Sequence, residues 1–193
     1  MFMPSPSKAK GSSFEREVAT FLSKLYNESF IRAPGSGAYV GGKNQARKEF
    51  LHEGQIRSFK GDIVPGQSFT KLNVECKSYA DFPFHQLYTG DCKLLEGWLD
   101  QLMDVAEQDD VNVLFMKFNR KGRFVVVQSS LTWGADNFTY YTSKSHGDWI
   151  IINFENFFNS NRDLLKSYSS GISTDTMSRT IQNKSTETIS RTI

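Results

Sequence analysis

The chain has 193 residues, 38% of them hydrophobic and 23% charged, with 16 Phe and 3 Trp, enough apolar material for one core and one domain. Its 23 Lys and Arg against 21 Asp and Glu leave a formal charge of only +2, and it has two cysteines; this excludes bulk polybasic binding and a disulfide scaffold. No stretch approaches the ~20 apolar residues of a membrane span and no signal-peptide core opens the sequence, so the expectation is a soluble, intracellular (cytoplasmic) protein without a membrane partner.

Charge is unevenly distributed. Residues 1–77 carry 12 Lys and Arg against 7 Asp and Glu, and residues 78–193 carry 11 against 14. Residues 12–26 place Phe14, Val18, Phe21, Leu22 and Leu25 on one face of a 3.6-residue period, which predicts an amphipathic helix. Ser12 followed by Glu15 reads as a capping box at its start. Phe30-Ile31-Arg32 then leads into the glycine-rich run Pro34 to Gly42, read as a mobile loop to about residue 58. Arg32, Lys43, Arg47, Lys48, Arg57 and Lys60 lie along this stretch against Glu49 and Glu53. It fits either a phosphate-facing loop or an ordinary solvated basic loop.

Ile63-Val64 and Leu72 to Lys77, separated by Pro65-Gly66, read as adjacent antiparallel strands. Period 2 puts Leu72, Val74 and Cys76 on one face and Asn73, Glu75 and Lys77 on the other. A second helix is expected over 91–107, with Leu94, Leu95, Trp98, Leu99, Leu102, Met103 and Ala106 as its apolar stripe. Strands follow at Val111–Phe118 and Arg123–Gln128 around the turn Asn119-Arg120-Lys121-Gly122, then β-like segments within 133–153, then a helix over Glu155–Lys166. Tyr168 is the last aromatic residue, and 12 of the last 26 residues are Ser or Thr, so 169–193 is expected to be a disordered tail after a single domain over 1–168. His52, His85 and His146 are isolated, Cys76 and Cys92 form no Cys-x-x-Cys pair, and the glycines match no P-loop, which points away from zinc, redox and nucleotide-cofactor chemistry.

The residues with chemical content are Asp62, Glu75 and Lys77. Glu75 and Lys77 share a strand face, and Asp62 at the near end of the neighbouring strand can be presented to the same volume. Two carboxylates there make an oxygen-lined site for Mg²⁺, with a lysine to orient the nucleophile or neutralise charge growing on a phosphodiester. The bland alternative is an exposed Glu75–Lys77 salt pair with Asp62 as a turn residue after Gly61.

Lys10-Gly11-Ser12-Ser13-Phe14-Glu15-Arg16-Glu17, Ile31-Arg32-Ala33-Pro34-Gly35-Ser36-Gly37, Gly61-Asp62-Ile63-Val64 and Val74-Glu75-Cys76-Lys77 occur in an order that resembles the archaeal-type Holliday junction resolvases of the PD-(D/E)XK nuclease superfamily, which also occur in phages. The similarity covers roughly residues 8–130, with 131–168 as appended β/α elements. It implies an α/β fold with a restriction-endonuclease-like core, a central mixed β-sheet flanked by helices, and a homodimer that introduces paired symmetric nicks in four-way DNA junctions with Mg²⁺ (Mn²⁺ substituting). By position it implies that Glu15, Asp62 and Glu75 are the acidic metal-site residues, Lys77 the catalytic lysine, Arg16 and Arg32 the functional arginines, and Ser36 the serine of the mobile loop. Lys43, Arg47, Lys48, Arg57 and Lys60 form an added basic stretch that could grip DNA arms, or adapt the site to flaps, single strands or duplex ends. A non-catalytic DNA-binding recombination protein is the other class. For a dimer contact, the sequence suggests the second helix around Trp98 and Met103, or the strand Val111–Phe118.

Overall fold

The computed structural model describes residues 6–34 and 60–171. In chain order its elements are helix α1 (Pro6–Tyr26), strands β1 (Ile31–Arg32), β2 (Ile63–Val64) and β3 (Leu72–Tyr79), helices α2 (His85–Thr89) and α3 (Lys93–Asp104), strands β4 (Val111–Phe118), β5 (Gly122–Gln128), β6 (Thr139–Ser143) and β7 (Gly147–Asn153), and helix α4 (Phe154–Ser169).

Five strands form a mixed sheet in the order β3-β4-β5-β7-β6. The helical crossover through α2 and α3 makes β3 and β4 parallel, with Glu75 beside Leu114 and Lys77 beside Met116, as a crossover of this length requires. The remaining pairs are antiparallel. This is the α/β core with a mixed central sheet flanked by helices that the sequence led us to expect. Strand β7 lies inside the sheet, so residues 131–168 complete it rather than decorate it.

Each face of the sheet has its own apolar layer. On one, Phe14, Val18 and Leu22 of α1 and Phe154, Phe157 and Leu165 of α4 pack on Val74, Val113, Phe115, Val125 and Ile152. On the other, Leu95, Trp98, Leu99 and Leu102 of α3 pack on Leu114, Met116, Val126 and Ile151. Alternation along each strand feeds both layers, because successive side chains point to opposite faces. Asn153 opens α4 by accepting the N–H groups of Glu155 and Asn156, an ordinary N-cap.

Four expectations change. Helix α1 starts at Pro6 rather than Ser12, so Ser12 and Glu15 lie inside the helix and do not cap its start; Pro6 suits a first helical position, where no N–H is lost. The second helix, expected over 91–107, is the shorter α3, and a separate short helix, α2, precedes it. Strand β2 ladders with β1, Ile31 opposite Val64 and Arg32 opposite Ile63, and not with β3. The segment after it is no tight hairpin, since Phe69 N–H reaches back to Gly66 C=O and Leu72 N–H to Phe69 C=O. Finally, Trp98 is only 4% exposed and stacks with Phe82 and Phe118, while β4 lies between β3 and β5. Packing within one chain buries Trp98 and most of β4, two of the surfaces suggested for a dimer contact, while Met103 is partly buried. From residue 172 onward, the Ser/Thr-rich tail lies outside the described residues.

Candidate active site

Strand β3 is an edge of the five-stranded sheet, and its free edge is met by Asp62. Asp62 N–H donates to Val74 C=O at 2.8 Å, and Asp62 Oδ2 accepts the N–H of Cys76, also at 2.8 Å. On its other side Asp62 C=O accepts Ala33 N–H at 2.8 Å, tying the site to the end of β1. Asp62 is thus fixed, through its N–H and its carboxylate, by backbone groups two positions apart on the strand that carries Glu75 between them. Gly61 makes the approach possible. It has φ +64°, and a Cβ there would stand 2.3 Å from Val74 O, so an L side chain would be strained and would collide with backbone.

Asp62 is 5% exposed and Glu75 2%, so the reading of Glu75 and Lys77 as a solvated surface pair does not hold. Lys77 Nζ is ion-paired with Glu75 and also donates to Gln101 Oε1 at 2.6 Å. Burial, then the negative charge of Asp62, push the Glu75 carboxyl up to about 7, against the opposing pull of Lys77. Burial and Asp62 also raise the Glu15 carboxyl, although Arg32 binds it in an ion pair and Arg16 adds positive charge nearby. The Cys76 thiol, buried beside these carboxylates, is held well above its ordinary value by that burial and their charge, so it is an inert packing group.

The charge of Asp62 therefore acts on both Glu15 and Glu75, but not equivalently. Asp62 and Glu75 face each other, whereas Glu15 is engaged by Arg32. Among the described residues no three His, Cys, Asp or Glu side chains form a cluster that could by itself hold a metal ion. A buried, under-neutralised pair of carboxylates still fits a hard divalent cation, which takes one or two carboxylates and completes its shell with water and phosphate oxygens.

This electrostatic load has a measurable consequence. The folded-state Glu75 carboxyl titrates near 7 against an ordinary 4.5, so its contribution to stability is complete below about pH 4.5 and is lost as pH rises through about 7. In EDTA the melting temperature should fall between about pH 5 and pH 8, and Mg²⁺ or Mn²⁺ at the upper end should restore it. A Glu75→Gln protein should be flatter over the same window. A metal-free wild-type melting temperature that climbs with pH there would contradict this reading of the pair.

The residues expected to meet DNA divide into three groups. Ser36, Lys43, Arg47, Lys48 and Arg57 lie outside the described residues. Arg16 is exposed on α1, and Arg32 is partly exposed in its pair with Glu15. Lys60 is a correction: it is 8% exposed, ion-paired with the buried Asp110 and 3.7 Å from Glu107. Lys60 is spent on Asp110 and Glu107, away from the Asp62–Glu75 pair, and fastens the chain just before Gly61 and Asp62 to the turn entering β4. Lys60→Ala should cost about 3 kcal/mol by stranding Asp110, read by urea unfolding. It should leave the salt dependence of DNA affinity unchanged, whereas a phosphate contact would reduce that slope by about one.

Two features escaped the sequence reading. Gln101, on the exposed side of α3, contacts Lys77. Asn73 Nδ2 donates to Leu102 C=O at 2.9 Å and to Asn112 Oδ1 at 2.8 Å, placing that part of α3 over β3. Strand parity put Asn73 on the face of Glu75 and Lys77, but nothing local gives the register of a helix against a strand.

A family model described as "Phage putative PDDEXK endonuclease" matches residues 6–168, a span that takes in β6, β7 and α4 together with the Asp62, Glu75 and Lys77 site. No curated protein and no solved structure matches the chain.

Proposed function

The chain belongs to the phage PDDEXK endonuclease family, and from that premise we propose that it is a Mg²⁺-dependent, structure-selective DNA endonuclease that resolves four-way junctions as a homodimer. The observation that carries the chemistry is the buried Asp62–Glu75 pair at the open edge of β3 with Lys77 against it. Asp62 and Glu75 would hold the cation, and Glu15, shared with Arg32, stands beside Asp62 as a third negative charge.

A bound divalent cation supplies Lewis-acid polarisation of the phosphodiester and a bound water of lowered pKa. Asp62 is prevented from turning by the Cys76 N–H, which keeps its carboxylate aimed. Lys77 carries a positive charge toward the non-bridging oxygens as negative charge builds on them. Water oxygen bonds to phosphorus, the bridging ester bond breaks, one water proton passes to solvent and the leaving oxygen takes one up. Burial on both sides keeps bulk water from screening these charges. Arg16 and Arg32 at the rim suit backbone phosphates, which position a substrate without reading its sequence. Two copies related by a two-fold axis would match the near two-fold symmetry of a junction and nick it in pairs.

The substrate is tested by offering an end-labelled four-way junction, a flap, a linear duplex and a single strand in Mg²⁺. Paired symmetric nicks in the junction are expected. Faster cutting of flaps, duplex or single strands would retain the nuclease chemistry and replace the junction. Binding without cutting any of the four would place the protein among non-catalytic DNA-binding proteins.

A further inference from the structure

The Lys77 ammonium is held from two sides. It has three hydrogens to donate and no acceptor site; one meets Glu75 Oε1 on its own strand, and another meets Gln101 Oε1 on α3, 2.6 Å away. Because the ammonium cannot accept a hydrogen bond, the Gln101 amide is oriented by chemistry, oxygen toward Lys77 and NH₂ away from it. A lysine tied only to Glu75 would keep a long, flexible stem free to follow that one partner. With a second oxygen fixed on a helix, the ammonium has a defined place, and its third hydrogen meets no acceptor among the described residues.

The placement of that helix is built into the core. Asn73, two positions before Glu75 on the same strand face, reaches the carbonyl of Leu102, the residue after Gln101. It also bonds Asn112, directly across on β4, which in turn bonds Gln128 on β5 at 3.2 Å. The ladder lies beneath α3 where apolar side chains would pack at least as well, and it leaves Asn73 Oδ1 without a hydrogen-bond partner among the described residues. Buried polar networks of this kind fix register at some expense of stability. Here the register they fix is that of Gln101 against Lys77.

We propose that Gln101 is a positioning residue for phosphodiester cleavage, acting by locking the Lys77 ammonium beside Glu75. This rests on the endonuclease reading above. Gln101→Leu removes the acceptor at nearly constant volume, and Gln101→Glu keeps an oxygen at the same reach. Steady-state cleavage by Gln101→Leu should show kcat lower by about ten- to a hundredfold, the range of one hydrogen bond to a charged group, with KM and melting temperature unchanged. Gln101→Glu should retain most of the rate.

A second readout needs no turnover. The ¹H–¹⁵N signal of the Lys77 ammonium, identified by its loss in Lys77→Met, should be sharp in the wild type, broadened in Gln101→Leu and kept in Gln101→Glu. An unchanged kcat or an unchanged ammonium signal in Gln101→Leu would overturn the proposal, as would an equal loss of rate in Gln101→Glu. If the wild type cuts no DNA, the endonuclease reading fails by itself and the ammonium signal still decides whether Gln101 holds Lys77.

Discussion

Glu75→Gln should lower the rate of DNA cleavage in Mg²⁺ by about a thousandfold or more, the effect of removing several kcal/mol of metal-dependent charge stabilisation. Glutamine keeps the shape of the side chain and an oxygen for Lys77, so the loss reports the missing charge and not a collapsed site. Glu75→Ala should be as inactive, with the added cost of a cavity. DNA affinity should be retained or improved in both, because a negative charge near phosphate has gone. The metal-free variant should also melt no lower than the wild type at pH 8, since Glu75 there is an ionised group buried against Asp62. That combination, lost turnover with no loss of stability, is the signature of a residue placed for chemistry at the expense of the fold. Cleavage within tenfold of the wild type would remove Glu75 from the site.

Gly61→Ala should be the most damaging glycine-to-alanine change among the described residues. A left-handed conformation costs an L residue about 1–2 kcal/mol, and the new Cβ, 2.3 Å from Val74 O, forces a backbone shift of the overpacking kind, about 1–3 kcal/mol more. For a chain of this size the sum lowers the melting temperature by about 10 °C. The shift falls on the two bonds that place Asp62, its N–H to Val74 and the Cys76 N–H to its carboxylate. Cleavage measured well below the melting point should therefore be lost along with stability. A variant that melts with the wild type, or melts early yet cuts normally in the cold, would show that Asp62 does not depend on this approach.

The sequence was most informative where the physics is local. Period 2 in Leu72–Lys77 correctly separated Leu72, Val74 and Cys76 from Asn73, Glu75 and Lys77, and the stripe of α3 correctly marked Leu95, Trp98, Leu99 and Leu102 as core. The sequence shows a glycine directly before Asp62, but its φ of +64° and its close approach to Val74 become visible only in the fold. Misreadings arose where two distant segments decide the outcome. Ile63-Val64 is too short to choose a partner by pattern, and it pairs with Ile31-Arg32 from the other side of the glycine-rich segment. Lys60 looked like one more cation in a basic run, and only the return of Asp110 at the start of β4 buries it. Gln101 belongs to the same class, since a polar residue on the outer face of an amphipathic helix is ordinary until the sheet beneath it is known.

If the Asp62–Glu75–Lys77 site is a nuclease centre, the protein cuts DNA through it in a metal-dependent way. The most direct measurement is incubation of the purified protein with supercoiled plasmid and an end-labelled four-way junction, in Mg²⁺ and in EDTA, with Asp62→Asn in parallel. Strand scission in Mg²⁺ that is absent in EDTA and absent in Asp62→Asn is the predicted result. Intact DNA in every lane, or cutting that persists in Asp62→Asn, would contradict it.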